Sequence, residues 1–89
     1  MYYKQFSPGP PQYQEVLNRL SARDKPMRTK IPVRARLVWE VDGEEWAECR
    51  ASRLDADGPA IYVELGDQRS RTVGVWLHPD DVRWEGKLV

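Results

Sequence analysis

His78 precedes Pro79, Asp80 and Asp81, a spacing at which a carboxylate could hold an imidazole for acid–base work. It is the only histidine, and no serine or cysteine stands near it in sequence, so it reads as a turn or surface residue. Cys49 is the only cysteine, which excludes an internal disulfide and fits a reducing compartment. It alternates with Ala47 and Ala51, so it is expected to be an inert thiol on a core face. One cysteine and one histidine cannot assemble a zinc set. Asp55-Ala-Asp57-Gly58 echoes the start of a calcium loop, but the later ligands are missing and a hairpin turn explains it better. No glycine-rich phosphate loop occurs. The chemistry these residues allow excludes most enzyme classes, and no metal or cofactor is expected.

Two other groups could serve recognition. The basic residues Arg23, Lys25, Arg28, Lys30, Arg34 and Arg36 concentrate before and within the first apolar alternation. They could line phosphates, or form a solvated linker. Residues 1–38 carry eight Lys/Arg against Glu15 and Asp24, and residues 39–89 carry six against twelve Asp/Glu. A zero formal charge thus hides two opposite halves, which points to a polyanionic partner or to the halves attracting each other. Pro10-Pro-Gln-Tyr13 matches the four-residue pattern that WW domains take up in polyproline form, and prolines opening a helix explain it equally well.

The elements that position these groups follow from periodicity. At 89 residues the chain holds one domain and a tail. Tyr13, Val16, Leu17 and Leu20 lie at i, i+3, i+4 and i+7, which predicts a short amphipathic helix over about 10–22 within a leader, residues 1–30. Tyr2, Tyr3 and Phe6 make that leader too aromatic for a solvated tail. From Ile31 to the C-terminus at 89 the period becomes two. Val33, Ala35, Leu37 and Trp39 alternate with Arg34, Arg36 and a less polar Val38; Ala47, Cys49 and Ala51 with Trp46, Glu48, Arg50 and Ser52; Ile61, Val63 and Leu65 with Tyr62 and Glu64; and Val73, Val75 and Leu77 with Gly74 and Trp76. Val82 and Trp84 make a last short strand. Turn residues separate the runs at Asp42-Gly43, Asp55–Pro59 and Gly66–Ser70.

Parity selects the first hairpin. A two-residue Asp42-Gly43 turn would set Leu37 opposite Glu48. A three-residue loop, Val41–Gly43 with Gly43 left-handed, pairs Leu37 with Ala47 and keeps the apolar residues on one face. The same alternation sends Trp46, Tyr62 and Trp76 to the outer face of three successive strands. Either the helix stripe or a protein partner is expected to cover this aromatic strip.

Four or five short strands, with Trp46, the Asp57-Gly58 turn, the Ile61–Leu65 strand and the closure Trp76-Leu-His-Pro-Asp-Asp-Val82, resemble the SH3-like and Tudor-like small β-barrels. The resemblance covers about residues 31–85. It implies a mainly β, antiparallel SH3-like barrel of four to five strands with one N-terminal α-helix, and a non-enzymatic binding function. A methyl-lysine cage is not implied, because these aromatics lie in mid-strand and not at loop tips.

The expected function is a small binding module that takes a protein partner through Trp46, Tyr62 and Trp76. The alternative is a nucleic-acid-associated module using the basic Arg23–Arg36 segment. An excess of arginine, ten against four lysines, fits a bacterial or phage accessory protein. No apolar run is long enough to cross a membrane as a helix and no signal-peptide core appears, so the cytoplasm is the expected compartment.

Overall fold

The computed structural model describes residues 13–84, and the expectations placed on Tyr2, Tyr3, Phe6 and residues 10–12 lie outside that range. Five antiparallel strands form one sheet: β1 (Asp24–Trp39), β2 (Gly43–Asp55), β3 (Ile61–Glu64), β4 (Gly74–Leu77) and β5 (Val82–Trp84), in the order β4-β3-β2-β1-β5. Each of the five alternating runs overlaps one strand, with bounds that differ from the expected ones. The sheet does not close into a barrel, and this corrects the expected closure. Among the described residues β5 pairs with β1 alone, over Val33–Ala35, and no strand pair joins it to β4 at the other end of the sheet.

No N-terminal helix forms over the described residues 13–22. The stripe of Tyr13, Val16, Leu17 and Leu20 is spent differently: Val16 is buried, and the other three are exposed. A helix of three turns is marginal by itself, and here the backbone groups of the segment find strand partners. Leu17 N–H donates to the Val38 carbonyl (2.8 Å), Glu40 N–H to that of Glu15 (3.1 Å), and Leu20 N–H to that of Trp76 (2.7 Å). Residues 14–20 therefore cross from β1 to β4 through single bridges, Val16 to Trp39 and Leu20 to Trp76.

Asn18 supplies with its side chain what the backbone lacks there. Its Nδ2 donates to the Arg36 carbonyl (2.9 Å) and its Oδ1 accepts from Val38 N–H (3.1 Å). The carboxamide thus imitates a peptide group of a neighbouring strand.

The first hairpin keeps the expected parity with a different register. The loop is Glu40–Asp42, one residue earlier than expected, and Gly43 follows it at φ 80°. Leu37 pairs with Glu45, Ala35 with Ala47 and Val33 with Cys49, so the apolar face is preserved while every partner shifts by two. The glycine is the physical reason: it takes the left-handed conformation at the first position of β2.

β1 also begins at Asp24, seven residues before the expected boundary. Its first part pairs with the end of β2, and four residues, Met27–Lys30, bulge out before pairing resumes at Ile31. Opposite this bulge, Ser52 forms a second irregularity between β2 and β3. Ser52 is buried, and its hydroxyl has no hydrogen-bond partner.

The core gathers Val33, Ala35, Leu37 and Trp39 of β1, Cys49 and Ala51 of β2, and Ile61, Val63, Leu65, Val75, Leu77 and Val82, with Val16 from the N-terminal segment. Val73, expected inside, is 70% exposed. It precedes β4, at a point where β3 and β4 have run past their pairing with β2.

Candidate functional site

The three aromatics assigned to one strip do not meet. Tyr62 and Trp76 pair across β3 and β4, with ring centres 5.3 Å apart in an edge-to-face arrangement. Tyr62 stands beside Arg53 on β2, seven residues from Trp46. At strand rise that separation is about 20 Å. The Asp55–Ala60 turn carries the signal that would have shown this, since counting back from it along β2 sets Tyr62 beside Arg53.

Tyr62 and Trp76 are largely served from within the chain. The Tyr62 ring lies over Gly74, where an added Cβ would come within 2.8 Å of the ring. The Arg53 guanidinium sits 5.8 Å from the centre of the Tyr62 ring and is itself held by Asp24. Leu20 bridges to the backbone of Trp76. A residue of the N-terminal segment thus does reach the strip, in extended form, through the Trp76 backbone.

Trp46 lies on the outer face of β2 opposite Arg36, and the Arg83 guanidinium from β5 stacks over its ring at 4.4 Å. Arg34 lies directly opposite Arg83 across β1 and β5. Among the described residues neither Arg34 nor Arg83 has an ion-pair partner, and like charges so placed cost stability. Arg36 is different: it is held by Asp81 (3.1 Å) and Glu44 (3.4 Å).

Among the described residues four arginines lie against aromatic rings: Arg53 on Tyr62, Arg69 on Trp39, Arg71 on Tyr13 and Arg83 on Trp46. About one such pair would be usual in a chain this long. The preference for arginine over lysine therefore has a structural use, because a planar guanidinium stacks and an ammonium does not. Only the Arg53–Tyr62 pair, across the β2–β3 hairpin, has a local sign in the sequence; the other three join distant segments.

The basic segment is divided in use. Arg23 pairs with Asp57 (2.9 Å), Lys30 with Glu64 (3.0 Å) and Arg36 with Asp81 and Glu44. Lys30 holds the Glu64 carboxyl below its ordinary range. The two oppositely charged halves thus attract each other. Lys25, Arg28 and Lys30, with Pro26 and Pro32, fall where the outer edge of β1 has no neighbouring strand among the described residues. Lysine and proline at such a place discourage pairing with other chains.

His78 caps the short 3-10 turn Pro79–Asp81, its Nδ1 accepting from Asp80 N–H at 3.1 Å. Cys49 is buried, and burial pushes its thiol from 9.0 up to about 11. The Asp55–Gly58 segment is a hairpin turn in which Asp57 N–H donates to Asp55 Oδ1 (3.0 Å). Among the described residues no cluster of His, Cys, Asp or Glu could hold a metal ion, and no helix is long and apolar enough to cross a membrane. Of the proline motif only Tyr13 is described, exposed beside Arg71.

A cleft of about 720 Å³ opens between β2 and the end of β3. Val33, Cys49 and Leu65 line it together with Val73, and Glu48 and Arg50 stand beside them. No protein-family model, curated protein or solved structure matches the chain.

Proposed function

We propose that this chain is a non-enzymatic binding module that takes a protein partner, with Trp46 and Arg83 at the centre of the contact. The observation that carries the reading is the stacked Arg83–Trp46 pair on an outer sheet face, flanked by Arg34, which has no ion-pair partner among the described residues. Tryptophan and arginine dominate the energetics of protein interfaces, and a prestacked pair loses little freedom on binding. Tyr62 and Trp76 are secondary in this reading, because Arg53 and Gly74 already lie against the Tyr62 ring and that ring packs on Trp76. The resemblance of the strand pattern to SH3-like modules, and the arginine-rich composition, support an accessory protein of bacterial or phage type acting in the cytoplasm.

The second reading is nucleic-acid association. Arg34 and Arg83 favour it, since a phosphate between them would relieve their repulsion, with Lys25 and Arg28 as further contacts. Affinity capture from lysate, with and without nuclease, separates the two. Capture of a protein that survives nuclease and is lost in Trp46→Ala supports the first. Recovery of nucleic acid alone, with affinity falling log-linearly with salt, replaces it with the second.

A further inference from the structure

β2 has two edges of different kinds. One is paired with β1 along most of its length, while β3 pairs with the other only from Arg50 to Leu54. Among the described residues, no strand and no backbone hydrogen bond reaches that edge from Glu44 to Cys49. The free edge of β1 carries lysines and prolines, but this stretch of β2 has none. A row of unanswered backbone groups without such guards is a template for an added strand. The cleft floored by Val33, Cys49 and Leu65 lies beside it.

The strand already paired with β2 indicates what would fit. On β1, Arg34 and Arg36 stand across from Glu48 and Trp46 on the outer face, while Val33, Ala35 and Leu37 point into the core. The outer stripe Glu44, Trp46, Glu48 is therefore matched by arginine on one side and open on the other. Glu48 has no ion pair among the described residues. A second copy of this edge would bring Glu44 and Glu48 against their own equivalents, which like-charge repulsion opposes.

We infer that Glu44–Cys49 receives an extended segment of a partner protein in which basic residues alternate with apolar ones. Its basic side chains lie beside Glu44, Trp46 and Glu48, and an apolar side chain enters the cleft next to Val73. Backbone hydrogen bonds supply affinity and the alternation supplies register. The inference rests on the protein-binding reading and names the mode by which the partner is held.

The test uses the full 89-residue chain and the peptide acetyl-Val-Arg-Val-Arg-Val-Arg-Val-amide, followed by amide NMR. Two analogues carry N-methyl groups, one on the valine amides and one on the arginine amides. The expected result is that the parent peptide slows exchange of alternate amides between Glu44 and Cys49. One analogue then binds at least tenfold more weakly, and the other within about twofold of the parent, because only one set of amides faces the protein. Val73→Asp and Glu48→Arg, both at exposed positions, each weaken the parent about tenfold. Equal binding by both analogues, no binding at millimolar peptide, or amides of that edge already protected in the free chain by its own leader would each overturn the inference. Capture of a partner that still depends on Trp46 would in that case leave the protein-binding reading standing, whereas loss of both would remove it too.

Discussion

The Arg69 guanidinium lies 4.3 Å from the centre of the Trp39 ring and closes the loop end of the core. Trp39 is the largest fully buried side chain, and its indole N–H donates to Glu45 Oε2 at 3.2 Å. The same Glu45 accepts from Arg69 Nη2 at 2.6 Å, and Asp67 and Asp42 complete the cluster at 2.7 and 3.1 Å. Two loops, through Asp42 and Asp67, and two strands, through Trp39 and Glu45, are thus tied to one cation. Single exposed ion pairs contribute little, but a stacked, multiply bonded arginine contributes more. Arg69→Ala is expected to lower stability by about 1–2 kcal/mol in urea unfolding. Arg69→Lys should recover less than half of the loss, since it keeps the charge without the fork or the stack.

Acid should loosen this cluster. Hydrogen bonds from Arg69 hold the Asp67 carboxyl below its ordinary 3.8, and Gln14 and then Arg69 do the same for Asp42. A carboxyl depressed in the folded state contributes stability above its unfolded value and loses it as pH falls through the folded value. Melting temperature should therefore hold steady down to about pH 4 and decline below it. Asp67→Asn should flatten that decline. An unchanged acid slope in the variant would show that Asp67 is not coupled to folding through Arg69.

The alternation of Val33 to Trp39 and of Ile61 to Leu65 was enough to find the strands, because burial on one face leaves a period of two wherever it acts. Cys49 was readable for the same reason. An equally regular pattern at Tyr13–Leu20 predicts a helix that does not form. Val16 and its neighbours satisfy a helical stripe, but the decisive quantity is a set of backbone partners on Val38, Glu40 and Trp76, which no local pattern contains. Parity puts Trp46 and Tyr62 on one face and says nothing of position along it, so it cannot separate them. The Arg83–Trp46 pair joins β5 to β2 across β1, so it exists only once three strands are assembled.

Asn18 offers a sharp test of how the N-terminal segment is held. Its carboxamide both donates to and accepts from β1, and Asp81 takes a further bond from Nδ2 at 3.2 Å. Asn18→Ala leaves the part-buried Val38 N–H without its acceptor, a loss of about 1–2 kcal/mol. Asn18→Asp keeps the acceptor but sets a carboxylate against the Arg36 carbonyl and Asp81, and it should be no better than alanine. In both variants hydrogen exchange should quicken first at Leu17, Leu20 and Val38. Uniform acceleration across all five strands would instead mean that the segment and the sheet open as one unit.

Gly74 should tolerate nothing larger. A Cβ built there would lie 2.2 Å from the Val63 carbonyl oxygen and within 3 Å of the Tyr62 ring, and backbone cannot give way cheaply. Gly43 makes the contrast, since its surroundings are open and only its φ of 80° disfavours a side chain. Gly43→Ala should then cost about 1–2 kcal/mol, the penalty of a left-handed residue with a Cβ. Gly74→Ala should cost distinctly more, separating β3 from β4 and breaking the Tyr62–Trp76 contact. Near-ultraviolet circular dichroism, read beside urea midpoints, distinguishes the two: the aromatic signal should fall in the Gly74 variant and persist in the Gly43 variant. Equal costs with an intact aromatic signal would show that β4 can shift outward to accept a methyl group.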